Sequence, residues 1–265
     1  ENIYIDKSLT INGAGAGNTI CDGKKGSSVF SIGSNKTDID VIISGVTIQN
    51  GSARKGGGIY NQGNLTILNV AVSGNSASWG GGGVFNNRTL IVNGSTISGN
   101  KASIWGAGIY NADTLRMNRS SIANNDIRIY GQGGGVYNSG SFIMNNGCII
   151  GNRAFQGSGI KNEKKGNSAD WKEQVSFVMN GGFISGNRGR KGAYGEDSWG
   201  GGVKNSETFI INGGTISENS ADTGGGISNS NGTLSMVGSS QIVRNQATSG
   251  YGGGIYSGSV SLDGT

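Results

Sequence analysis

Gly56-Gly57-Gly58-Ile59-Tyr60-Asn61 decides the reading of the chain, because it returns seven more times with small changes. The later copies centre on Val84, Ile109, Val136, Ile160, Val203, Ile227 and Ile255, at steps of 25, 25, 27, 24, 43, 24 and 28 residues. A period that steady marks a solenoid, in which each unit buries its apolar face only against its neighbours. The Ile or Val after the glycines is the first of three apolar beats. The second is an alternating pair: Leu65 and Ile67, Leu90 and Val92, Leu115 and Met117, Phe142 and Met144, Phe177 and Met179, Phe209 and Ile211, Leu234 and Met236, Val260 and Leu262. The third beat is Val72, Ile97, Ile122, Ile149, Ile184, Ile216 and Ile242. Period-2 alternation is the mark of a strand with one buried face.

These beats predict an all-β, single-stranded parallel β-helix, with three short strands per coil of about 24–25 residues and about ten coils. One domain spans residues 1–265, with degenerate coils over 1–55 and regular coils over 56–265. The 43-residue step accommodates two charged insertions, at 163–174 and 188–198. Asn61, Asn86, Asn111, Asn138, Asn162, Asn205 and Asn229 follow the first beat, and Asn75, Asn100, Asn125, Asn152, Asn187, Asn219 and Asn245 follow the third. Stacked in register, they predict two amide ladders that satisfy corner backbone groups.

Composition narrows the chemistry. The chain has 53 glycines, no proline and no histidine, which removes the commonest general base and metal ligand. The acids are scattered singly, so no catalytic pair, metal site or cofactor site is expected and the chain reads as a non-enzyme. A net charge of +5 with dispersed Lys and Arg does not point to nucleic acid. No apolar run is long enough for a membrane helix. The Asn, Ser, Thr and Gly bias, and a start at Glu1 without Met, predict an extracellular or cell-surface protein whose signal peptide has been removed.

Candidate binding residues follow from the pattern. Trp79, Trp105, Tyr130, Phe155, Trp199 and Tyr251 recur at the corner before the glycines, accompanied by Arg54, Lys55, Lys101, Arg128, Arg153, Arg188, Arg190 and Lys191. They form either a platform for sugars or covers for bare glycine turns. Trp171 and Tyr194 lie in the insertions, where a regular scaffold concentrates function. A second column, Tyr60, Phe85, Tyr110 and Tyr137, then Lys161, Lys204 and Ser228 before Tyr256, is expected to face outward by strand alternation. Cys21 and Cys148 fall about five coils apart, some 24 Å, which excludes an internal disulfide and leaves free thiols or links between subunits. Of the glycosylation triplets at Asn35, Asn64, Asn87, Asn93, Asn118 and Asn231, Asn35 is the favoured acceptor.

The pairing of Gly-Gly-Gly-Ile with Val72-Ser73-Gly74-Asn75, Ile97-Ser98-Gly99-Asn100 and Ile184-Ser185-Gly186-Asn187 resembles the repeat of polymorphic outer-membrane proteins. Similar Gly- and Asn-rich repeats, opening like Lys7-Ser8-Leu9-Thr10-Ile11-Asn12-Gly13, occur in surface proteins of methanogenic archaea and bacteria. The resemblance implies a right-handed parallel β-helix serving as adhesin or envelope material, and it supplies no catalytic residue. Neither end offers a helical cap, with Ile3 and Ile5 opening the chain and Val260 and Leu262 closing it. Uncovered strand edges predict head-to-tail self-assembly into a filament or sheath, with lateral contacts as a further option. The alternative is a glycan-binding adhesin, and a polysaccharide-active enzyme ranks third.

Overall fold

The computed structural model describes residues 2–33, 38–164, 175–257 and 261–262. Asn35, Trp171, Val260 and the Leu262 side chain lie outside the described residues. The described chain is all β and winds as a right-handed parallel β-helix. One coil shows the plan: Ile59–Asn61, Asn64–Leu68, Ala71–Ser73 and Ser76–Gly80, followed by Val84–Asn86 of the next. Strands at the same phase pair in parallel and build sheets of ten, ten, nine and eight strands. The first sheet, which carries the glycine phrase, runs from Ile3–Ile5 to Ile255–Ser257, ten strands and nine full turns.

The beats are the core. Ile59, Leu65, Ile67 and Val72 have no solvent exposure, and their counterparts in the following coils stack on them in strict register. Each such side chain contributes about 1.5–3 kcal/mol by leaving water. Where the column turns aromatic the rings also stack: Phe142, Phe177 and Phe209 succeed one another at 4.8 and 4.5 Å. The 43-residue step leaves this register untouched. Ile160 still pairs with Val203 and Phe142 with Phe177, so both insertions leave the coil at corners.

Both expected amide ladders are present and buried. Asn61, Asn86, Asn111, Asn138, Asn162, Asn205 and Asn229 are linked by Nδ2 to Oδ1 bonds of 2.7–2.8 Å. Asn75 through Asn245 form the second chain at 2.9–3.1 Å. A third, on the surface, joins Asn93, Asn118, Asn145, Asn180 and Asn212 at 2.6–2.8 Å. Its period was in plain sight just after the second beat.

The three-strand expectation needs a correction. A fourth strand occupies what reads in sequence as a corner: Ser52–Lys55, Ser76–Gly80, Lys101–Ala102, Asp126–Ile127, Arg153–Ala154, Arg188–Gly189, Ser220–Ala221 and Gln246–Ala247 form the eight-stranded corner sheet. Its inward residue is small, alanine in most coils, because the glycine phrase passes directly beneath. A Cβ on Gly57 would collide with the carbonyl oxygen of Ser76. Gly56, at φ +63°, makes the left-handed turn that starts the approach.

Candidate functional site

The outer face of the corner sheet is a groove. One outward column reads Ser52, Ser76, Lys101, Asp126, Arg153 and Arg188 in Cα register. Just after the inward residue of five of these strands come Arg54, Ser78, Ser103, Arg128 and Arg190. All of these but Arg153 and Arg188 line an open groove of about 740 Å³, with Ser52, Ser76, Ser78 and Ser103 as a polar floor and Arg54, Lys101, Arg128 and Arg190 around it. A hollow of about 340 Å³ beside Arg153 and Arg188 extends the cationic strip.

The charges are largely unopposed. Arg190 Nη2 pairs with Asp126 Oδ1 at 2.7 Å. Among the described residues no ion pair engages Arg54, Lys101, Arg128, Arg153 or Arg188, and all five are exposed. Neighbouring coils sit about 4.8 Å apart, so the strip presents cations at one-coil or two-coil spacing along the rod.

The second insertion walls the groove. The Tyr130 hydroxyl lies 2.8 and 2.9 Å from the Glu196 carboxylate oxygens, and the Ala193 and Tyr194 N–H groups donate to Tyr130 Oη and Glu196 Oε2 at 3.1 and 3.0 Å. Its own backbone N–H, then the Tyr130 hydroxyl, hold the Glu196 carboxyl below the usual range. Farther along, buried Asp222 accepts bonds from Ser198 N and Oγ at 2.9 and 2.8 Å, and from Thr248 Oγ1 and Ser249 Oγ at 2.9 and 2.7 Å. Burial alone would raise the Asp222 carboxyl, but these donors outweigh it and hold the group well below the carboxylate range. The loop is thus held at its tip by Tyr130 and at its end by Asp222, while the Tyr194 ring is 91% exposed.

The aromatic corner is not one platform. Bridge register aligns Trp105 and Trp199 with Gly80, Gln132, Gln156 and Thr223, and Tyr251 continues that row, its carbonyl accepting from Gly224 N–H as that of Thr223 accepts from Gly200 N–H; Trp79, Tyr130 and Phe155 fall at other phases. Trp79 and Trp105, 4.4 Å apart, fold over the neighbouring column and meet Phe85, Tyr110 and Tyr137 at 5.3–6.5 Å. The column faces away from the main core, as alternation requires, but it is not exposed: covered by these rings, Phe85, Tyr110 and Tyr137 are 2–3% exposed and form a small second core. Tyr130 and Phe155 pair edge to face at 5.3 Å, Trp199 meets Tyr256 at 5.8 Å, and Tyr251 stands exposed.

Downstream the same column becomes cationic. Lys161 and Lys204 are buried Cα partners, with Lys204 Nζ 5.1 Å from the Trp199 ring centre and bonded to the hydroxyls of Ser228 and Ser230. Burial first, then the neighbouring Lys161, lowers the Lys204 ammonium to about 8. Burial lowers Lys161 as well.

Cys21 lies on an inward column against the core, where burial pushes its thiol up, and Cys148 lies 3.2 Å from Ser121 Oγ. Five strand steps of the nine-stranded sheet separate them. Ile5 is buried, whereas Ile3 is 40% exposed. Among the described residues no three His, Cys, Asp or Glu side chains gather as a metal-binding group.

Comparison with protein-family models, curated proteins and solved structures finds no match. The resemblance to the polymorphic outer-membrane repeat therefore rests on the motifs quoted above.

Proposed function

We propose that the protein is an extracellular surface rod that binds an acidic polysaccharide lengthwise in the corner groove. The observation that carries this reading is a strip of five cations without acidic partners among the described residues, three of them, Arg54, Lys101 and Arg128, around a serine floor and two, Arg153 and Arg188, beyond it. Unpaired exposed cations on a rigid sheet attract a polyanion without prior rearrangement, and the serine hydroxyls suit the hydroxyls of a sugar chain. The Trp79 and Trp105 rings that would stack on unpaired bases are turned onto the second core, which disfavours single-stranded nucleic acid.

Binding of the full chain to a polyuronate, a neutral glucan and single-stranded DNA, measured across salt concentrations, tests this. The polyuronate should bind, its affinity falling with salt. Replacing Arg54, Lys101 and Arg128 together by alanine should weaken it roughly tenfold, at a fraction of a kcal/mol per exposed charge. Equal binding of the neutral glucan, or no effect of the triple replacement, would sink the proposal.

A second reading is the structural polymer, in which coils of successive molecules continue one another head to tail. It draws support from the uniform coil-to-coil register, and Ile3 and Ile5 would belong to that contact together with Val260 and Leu262.

A further inference from the structure

Lys161 and Lys204 hold equivalent positions on adjacent strands, 2% and 7% exposed. Two ammonium groups in one poorly solvated column oppose each other, and burial penalises both. Among the described residues Lys161 Nζ meets Glu163 Oε1 at 3.0 Å and Gln156 Oε1 at 3.3 Å. The second distance brings the amine within about one carbonyl bond length of van der Waals contact with the Gln156 carboxamide carbon. Gln156 stands at the register position that Trp105 and Trp199 fill in other coils, so the amide serves as the lid over Lys161. Glu163 is 35% exposed and lies 3.5 Å from the Tyr137 hydroxyl, giving the cluster a path to water.

We propose that Lys161 and Gln156 join in an intramolecular isopeptide cross-link, with Glu163 carrying the protons. The Glu163 carboxylate takes a proton from the Lys161 ammonium. The neutral amine adds to Gln156 Cδ, forming the new C–N bond. Glu163 then protonates Nε2, the Cδ–Nε2 bond breaks and ammonia leaves. The surplus Nζ proton returns to Glu163 and departs with ammonia as ammonium, so no oxidant or co-reactant is consumed. The product has lost one of two opposed buried charges, and it leaves the Glu163 carboxylate as counter-charge to Lys204. That relief is the driving force, and burial of the Lys161 side chain leaves its amine poorly hydrated and so a better nucleophile.

Intact mass of the purified full chain, measured after denaturation, decides the matter. The expected value is that of the sequence less one ammonia, and fragmentation should yield a branched peptide joining positions 156 and 161. An undiminished mass overturns the proposal. So does a loss mapped to an Asn-Gly pair, such as Asn93-Gly94 or Asn212-Gly213, where succinimide formation also releases ammonia. Lys161→Arg and the isosteric Glu163→Gln should retain the full mass, and the latter should keep the β-sheet circular dichroism of the parent. A folded Glu163→Gln chain that still shows the branched peptide removes Glu163 from the step and overturns the mechanism.

Discussion

Lys204 shows how far a residue's role departs from its sequence appearance. Alternation assigned its column to solvent, yet the side chain is buried beneath Trp199 with an ammonium lowered to about 8. A lysine whose proton affinity falls on folding opposes folding most below the folded value, and that opposition fades as pH rises toward the ordinary value near 10.5. Lys204→Met, which keeps the volume and removes the charge, should therefore raise the melting temperature at pH 7. The gain should shrink steadily above pH about 8, as thermal melts across that range would show. What hid this was the cover, which comes from a different coil. No spacing within one repeat reveals that Trp79 reaches Phe85 and Tyr110. The buried asparagines, by contrast, were legible because each bonds its own counterpart one period away.

Among the elements, the three apolar strands were readable for a physical reason: each presents Ile, Val, Leu, Phe or Met to the core at fixed phase. The corner strand was not, since its inward residues Ala77, Ala102, Ala154 and Ala221 carry no periodic bulk and its outward residues are polar. The groove, which depends on that strand, was legible only as a run of basic residues without a floor. The second insertion was recognised as a loop, but its anchorage on Asp222 and Tyr130 spans elements 24 and 66 residues away. Asp222→Ala should free that loop, leaving Ser198, Thr248 and Ser249 without their shared acceptor. Limited proteolysis should then cut within 188–198 several times faster than in the parent, while the ladder-bearing coils stay resistant. Unchanged cleavage would show that Tyr130 and Glu196 suffice.

At the scale of the whole molecule, the solenoid and its Asn rows followed from one repeated phrase, because every coil meets only its neighbours and solves the same packing problem. The two proposed sites do not repeat in this way: both rest on places where coils differ, along Arg54 to Arg190 and around Lys161. The head-to-tail reading belongs to this scale too: electron microscopy over a range of concentrations should show filaments of rod width if it holds, and a uniformly monomeric population would exclude it. The three amide ladders give the rod itself a direction. In both buried rows each Asn Nδ2 donates toward the higher-numbered coil, whereas in the surface row donation runs toward the lower-numbered one. The rod is therefore a vector, with donors leading along two lines and acceptors along the third. The rows end inside the rod, with Ile5 and Ile32 at the position before Asn61 and Ser257 after Asn229, so this polarity is sealed within it: every coil between has a donor side and an acceptor side, and none can be turned over without breaking all three rows at once.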